Sequence, residues 1–342
     1  MKLPVAVLLT LAASASAASA DTTATVTLSP EGMMLAQAMG ISPAELAAQI
    51  KTRVDDAYQT GRISEFLKEF TNATSFSQRG IGVDYSSAPT GFMAGLAANL
   101  AVAGDADVYD RERPTGGLAV NLSLMIGMNL SEWKHPKWTV FANGFYQSAS
   151  LGDLDGSITS AGAHVQYNLL QPAKSGGAGT ALRWLGVSLT SGLEYTQWTF
   201  GTGGTTLSTD FEVEGGGMTQ PITLNSTGRF DLRSNALTVP IEATTGIRIA
   251  LLATLFVGAG IDLTPVGNST VTASLDGQLL TNDNRNLGTV NISGNGDASG
   301  SPGQFRLLAG GQVNLWKLKI FAQANVSQAP AASIAVGLKF VQ

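Results

Sequence analysis

Residues 116–130 read GGLAVNLSLMIGMNL, and every second residue from Leu118 to Leu130 is large and apolar. The residues between them are mostly small or polar, such as Asn121 and Ser123. Because successive side chains of a β-strand point to opposite faces, this alternation predicts one long strand with a uniformly apolar face. Such a face needs an apolar neighbour along its whole length.

The same alternation continues along the chain from residue 91 onward. Most of these segments have the length of about 9–11 residues or more that a tilted strand needs to cross a bilayer. Short connections separate them on one side, whereas the connections at 201–234 and 264–304 on the other side are long. That asymmetry is typical of outer-membrane barrels. The predicted strands are 91–104, 116–130, 137–147, 156–170, 182–200, 235–249, 251–263, 305–315, 318–326 and 332–340.

The positions of the ionisable residues provide a second test of a barrel. A cation on the lipid face near the bilayer midplane costs about 2–4 kcal/mol. When the apolar rows are placed outside, the charged residues and one histidine fall on the inward face. Their near balance of charge predicts paired groups in a narrow interior. The predicted lumen-facing residues are His164, Glu194, Glu242, Arg248, Asp262, Arg306, Lys319 and Lys339.

Composition favours the barrel over a soluble β-sandwich. Charged residues make up 13% of the chain, against about 25% in soluble domains. Residues 1–20 have the cation, apolar run and small-residue end of a signal peptide, with cleavage before Asp21. Loss of Lys2 changes the net charge from −5 to −6, which disfavours nucleic acid as a partner. The chain has no cysteine, so lipidation is excluded.

Residues 21–90 differ from the rest because their apolar residues follow a helical spacing. Leu46 and Ile50 belong to the stripe of one predicted helix, and Phe66, Leu67 and Phe70 to that of a second. Two arrangements remain open: a periplasmic pair packed on itself or on the barrel mouth, or a plug in the lumen. We also expect a basic rim at the periplasmic end to dock the acids of this segment. The rim residues are Lys174, Arg183, Arg248, Lys317, Lys319 and Lys339.

The C-terminal stretch SIAVGLKFVQ, with Gly337 and Phe340, completes a pattern that resembles bacterial outer-membrane β-barrel proteins. The signal and the alternating segments carry the same resemblance. It implies an all-β, antiparallel up-and-down transmembrane barrel of about 10 strands, or 12–14 if the long connections form wall hairpins. It further implies an integral protein of the Gram-negative outer membrane, with both termini periplasmic. Its partners would be outer-membrane lipid and the barrel-assembly machinery, which would read residues 337–340.

Motifs for chemistry are scarce in the sequence. The two histidines, His135 and His164, have no spacing suited to zinc, and no G-x-S-x-G motif occurs. We therefore predict no catalytic, cofactor or metal site and no enzyme activity, with a membrane-embedded hydrolase as the weakest alternative. The predicted function is a narrow or gated channel for small or apolar solutes, with the N-terminal helices covering or plugging the periplasmic mouth. The alternative is a surface interaction or adhesion protein that uses its long loops, four of which carry a net charge of −2 each.

Overall fold

The computed structural model describes residues 19–58, 63–80, 91–104, 116–171, 182–250 and 252–342. Most of the predicted signal peptide lies outside the described residues, so its cleavage stays a prediction. None of the described helices is long and apolar enough to cross a membrane. The elements in chain order are β1 (Ser19–Leu28), α1 (Pro30–Ala38), α2 (Pro43–Tyr58), α3 (Ile63–Phe76), β2 (Phe92–Ala103), β3 (Gly117–Leu130), β4 (His135–Leu151), β5 (Leu154–Leu170), β6 (Leu182–Gly215), β7 (Met218–Ile249), β8 (Ala253–Thr281), β9 (Asn286–Ser299), β10 (Gly303–Leu315), β11 (Leu318–Ser327) and β12 (Ala331–Val341).

Ten antiparallel strands form a closed barrel, as predicted. Strands β2 to β8 pair in sequence, β8 pairs with β10, and β10, β11 and β12 follow. The ring closes where β12 pairs with β2, from Ala331 opposite Ala103 to Val341 opposite Met93. We call these ten strands the wall. Each of the ten segments predicted from periodicity forms one wall strand.

Strand β3 shows which solvent the wall faces. Its outward residues from Leu118 to Met128 are 40–64% exposed, whereas Asn121 is fully buried and Ser123 is 2% exposed. This is the inverse of a soluble protein, because the apolar face lies outside and the polar face inside. A closed barrel with an apolar exterior satisfies its backbone hydrogen bonds in lipid. The wall is therefore that of an outer-membrane β-barrel.

The two ends of the barrel differ in their connections. Tight turns at 131–134 and 316–317 mark one end, which we call the short-turn end, and at the same end the Leu252 amide donates to the Ile249 carbonyl (3.1 Å). At the other, the long-hairpin end, β6, β7 and β8 continue far beyond the ring. There β7 pairs with β8 up to Ile222 opposite Thr281, β8 pairs with β9, and β9 pairs with β1. We call this five-stranded extension the upper sheet.

The upper sheet corrects the prediction that 201–234 and 264–304 are loops. Their backbone pairing continues from the wall, and β9 is an additional strand outside the ring. Periodicity did not reveal this because the outer face of these segments meets water and loses its apolar row. The inner face keeps apolar residues, among them Val213, Leu224 and Leu279, which pack on α1 and α2.

Pro240 lies within wall strand β7, where it cannot donate a ladder hydrogen bond. The ladder is adapted to it on both sides. A register shift between Leu237 and Val239 precedes it on the β8 side. On the β6 side, the pairing is interrupted between Ser191–Ile241 and Glu194–Thr238.

The N-terminal segment lies at the long-hairpin end. The side chain of Gln49 in α2 bonds the backbone of Glu214, donating to its carbonyl (2.9 Å) and accepting from its amide (3.1 Å). The C-terminus lies at the short-turn end, where the Gln342 amide donates to the Phe92 carbonyl (2.9 Å). The prediction that both termini lie at one end is therefore wrong, as is the docking of α2 on the basic rim. The even number of wall strands fixes the end of the barrel at which the C-terminus lies. It does not fix the position of the N-terminal segment, because α3 carries the chain through the lumen before β2 begins.

Candidate functional site

Helix α3 lies inside the barrel. No residue from Glu69 to Arg79 is more than 7% exposed, although most of them are polar. The wall has small residues where α3 passes: a Cβ on Gly117 would lie 2.3 Å from the Glu69 carbonyl oxygen. Phe76 packs in a pocket lined largely by alanines. They are Ala73, Ala101, Ala103, Ala119 and Ala331.

Polar contacts join α3 to the wall along its length. The hydroxyls of Thr71 and Ser269 are 2.6 Å apart. Below them, Asn72 accepts from the Ser301 amide (2.8 Å), and Gln78 donates to the Tyr195 carbonyl (2.7 Å). These bonds satisfy polar groups that have left water, which is the condition for burying them.

Arg79, in the turn after α3, connects the helix to the charged interior. Its Nη1 lies 2.7 Å from Oε2 of Glu194, and its Nε lies 3.1 Å from Oδ2 of Asp262. All three side chains are at least nine-tenths buried. The two carboxylates belong to β6 and β8, so one guanidinium contacts two wall strands.

Arg306 on β10 binds the same region from the wall. Its Nη2 donates to Oε2 of Glu242 (2.6 Å), and its Nε donates to Oδ2 and Oδ1 of Asp262 (2.9 and 3.2 Å). Its Nη1 donates to Oδ1 of Asn325 (3.3 Å). Oδ2 of Asp262 is thus shared by Arg306 and Arg79. We call Arg79, Glu194, Glu242, Asp262 and Arg306 the ionic cluster.

His164 on β5 lies beside the ionic cluster. Its Nε2 is 2.9 Å from Oδ1 of Asn143 and 3.7 Å from Oε1 of Glu194. The imidazole stacks on Phe141, with ring centroids 4.6 Å apart and planes at 7°. The histidine is therefore held by hydrogen bonding and stacking in the interior.

The structure brings together five of the eight predicted lumen residues: His164, Glu194, Glu242, Asp262 and Arg306. Arg248, Lys319 and Lys339 lie toward the short-turn end instead. Lys319 and Lys339 are buried and paired in register on β11 and β12, and Nζ of Lys339 lies 4.8 Å from the centre of the Phe321 ring. Arg248 is half-buried and opposite Arg183.

Sequence reasoning missed Arg79, the residue that joins the helix to the wall. Two signals were present. The run TNATSFSQRG at 71–80 is polar, and the inward faces of β2 and β3 carry Gly95, Ala97, Ala101, Gly117 and Ala119. A row of small side chains on the inside of a barrel leaves space for another element.

The space left around the ionic cluster is very small. A cavity of about 30 Å³ is lined by Arg79, His164, Glu194, Glu242 and Arg306 among others. A water molecule needs about 10–15 Å³ of such space. The lumen at this level therefore has room for about two or three water molecules and no larger solute.

Comparison with known families identifies the chain. The model of the Lsa36-like family matches residues 17–342. The chain belongs to the Lsa36-like family. No curated protein sequence matches it.

Solved structures that resemble the chain are bacterial barrels. They include CymD monoaromatic hydrocarbon channel (9% identity, covering 79% of this chain and 97% of that one, TM-score 0.25). Ail, the attachment invasion locus protein of Yersinia pestis, matches at 10% identity over 73% and 97% of the two chains, with a TM-score of 0.22. The translocator domain of autotransporter NalP from Neisseria meningitidis matches at 11% identity over 85% and 98%, with a TM-score of 0.27. At such TM-scores these proteins do not indicate the function of this chain.

Proposed function

We propose that this protein is a narrow, gated channel of the outer membrane, closed in the observed state by α3. The observation that carries the proposal is the burial, in the lumen, of α3 from Glu69 onward and of the turn that follows it up to Arg79. The helix is attached to the wall by side-chain contacts, which can break and reform. A displaced α3 would open the path that it now fills.

The size and polarity of the lumen support small polar solutes as cargo. An α-helix with its side chains is about 10–12 Å in diameter. A wall that encloses one leaves a narrower opening when the helix is displaced, because the chain that joins α2 to β2 stays in the lumen. The inward faces of the wall carry amides and hydroxyls, from Asn121 and Ser333 in the half nearer the long-hairpin end to Gln312 and Asn314 near the short-turn end. This polar interior is less suited to the apolar solutes that the sequence also allowed as cargo.

The proposal includes an orientation. Outer-membrane barrels have short periplasmic turns and longer extracellular loops. We therefore assign the short-turn end to the periplasm and the long-hairpin end to the exterior. Strand β12 then ends on the periplasmic side, which suits recognition of Gly337–Phe340 by the assembly machinery.

Conductance of the purified protein in planar bilayers tests the gate. Removing one partner of a buried ion pair typically costs about 3–5 kcal/mol. Arg79→Met leaves Glu194 and Asp262 without the helix's cation, so the docked position of α3 loses stability. We expect the open probability to rise by at least about tenfold, which corresponds to about 1.4 kcal/mol.

Arg53→Met is the matched control, because Arg53 is exposed on α2 and lies outside the lumen. It should conduct like the parent. If the parent and Arg79→Met are both silent while their barrels are folded, the channel is wrong. Folding is checked separately by the heat-dependent mobility of the barrel in detergent gels.

A second candidate function is a surface interaction protein, and the upper sheet favours it. The long connections form one packed unit with a core that includes Met39, Leu46, Ile222 and Leu287. A platform of this kind can present side chains to a partner with little loss of conformational entropy. If planar bilayers that contain the folded barrel show no conductance, we would assign this second function instead.

A further inference from the structure

The path of the chain relative to the ring has a topological consequence. Gln49 lies at the tip of the β6–β7 hairpin, Glu69 lies beside Gly117 at the upper end of the wall, and Arg79 lies among inward-facing wall residues. Phe92 then begins β2 at the opposite, short-turn end. Because the wall is closed, α1 and α2 are connected to β2 only through the lumen.

The segment at the far end of this path is folded into the upper sheet. Strand β1 pairs with β9 without a register shift, from Ser19 opposite Asp297 to Leu28 opposite Gly288. Helices α1 and α2 bury Ala36, Met39, Leu46 and Ile50 against the same sheet. We call residues 21–58 the N-terminal module.

We propose that the barrel exports its own N-terminal module through its lumen, and that α3 remains there as the tether. With the orientation assigned above, the module lies outside the cell while β2 begins on the periplasmic side. This export goes beyond channel activity and needs no solute to pass.

The dimensions of the lumen determine how the module crosses. The lumen encloses one helix and retains a cavity of only about 30 Å³ at the ionic cluster. A unit of one strand and two packed helices is too wide to pass beside α3. The module therefore crosses unfolded and folds outside on β9, and its packed core then prevents return.

Single cysteines test the location of the module, because the chain has no native cysteine. Met34 on α1 is 60% exposed, Met218 at the start of β7 is 48% exposed, and Trp133 in a short turn is 64% exposed. Each is replaced by cysteine in the full chain, and intact cells are treated with a membrane-impermeant maleimide. We expect Met34→Cys to react as fully as Met218→Cys, and Trp133→Cys to react only after permeabilisation.

A disulfide tests whether the tether occupies the lumen in the cell. The Thr71 and Ser269 hydroxyls are 2.6 Å apart, which brings positions 71 and 269 close to disulfide range. The double variant Thr71→Cys/Ser269→Cys should form an internal disulfide that changes gel mobility without reductant. Thr71→Cys alone is the control and should show no change.

Two results would overturn the export proposal. One is a Met34→Cys variant that reacts only after permeabilisation while Met218→Cys reacts in intact cells. The other is external Met34→Cys with no crosslink between positions 71 and 269. Neither measurement depends on conductance, so a silent barrel with an external module would refute the channel and support export.

Discussion

At the scale of single residues, two arginines share Asp262 but have different roles. Arg306 joins β10 to β7 and β8 through Glu242 and Asp262, so all of its charged partners belong to the wall. Arg79 joins the wall to a helix that has no backbone pairing with it. Loss of Arg306 should therefore weaken the barrel, whereas loss of Arg79 should release the helix.

Arg306→Met should destabilise the folded barrel. The change leaves two buried carboxylates without their main cation, a loss that typically costs about 3–5 kcal/mol. The free energy of unfolding is measured by denaturant titration of protein refolded into lipid vesicles, followed by tryptophan fluorescence. Arg233→Met, at an exposed position of β7, should change it by no more than about 0.5 kcal/mol. Equal unfolding energies for the two variants would show that Arg306 is not part of the barrel's support.

Periodicity alone placed most of the ionic cluster on the correct face. Glu242, Asp262 and Arg306 each alternate with apolar neighbours, so a period of two is enough to turn them inward. Their pairing was not predictable, because it depends on strand register. Asp262 lies opposite Gln304 on β10 and Pro240 on β7, which brings it close to Arg306 but does not follow from spacing along the chain.

At the scale of elements, α3 shows that the polar interior of a barrel allows a polar helix to be buried. The apolar stripe of Phe66, Leu67 and Phe70 predicted its first turns, and these pack at the upper mouth with Leu232 and Val271. Its second half is polar yet buried, because a barrel interior supplies hydrogen-bond partners that a soluble core lacks. A prediction that expects buried helices to be apolar therefore places the C-terminal end of α3 too early.

Phe76→Ala should loosen α3 without unfolding the wall. Phe76 is 1% exposed, and truncating a buried phenylalanine typically costs about 3–5 kcal/mol. Hydrogen exchange followed by mass spectrometry should show faster exchange in α3 and unchanged exchange in β3. Lys68→Ala is the control, since the Lys68 side chain is 53% exposed, and it should leave both unchanged. Equal acceleration in α3 and β3 would show that the helix and wall open as one unit.

At the scale of the whole molecule, one continuous sheet meets two solvents. The outward face of β6 is apolar along the wall, with Leu189 and Leu193 exposed, and becomes largely polar beyond Gly201, where Thr206, Ser208 and Asp210 follow. The ten wall strands were predictable because lipid imposes a uniform apolar row on them. The upper sheet was not, because water imposes no such row, and β1 was not, because its pairing partner β9 lies near the other end of the chain.

The same substitution at two exposed leucines should distinguish a position that faces lipid from one that faces water. Leu122 on β3 is 40% exposed, and so is Leu207 on β6, which pairs with Ser226 in the upper sheet. Leu122→Arg places a cation among acyl chains and should lower the free energy of unfolding in vesicles by about 2–4 kcal/mol. Leu207→Arg places it in water and should change that energy by no more than about 0.5 kcal/mol. Exposure and residue type are matched, although Leu207 lies on the inner face of the upper sheet, so the surrounding medium is the main difference, and equal effects would mean that the apolar row of β3 does not face lipid.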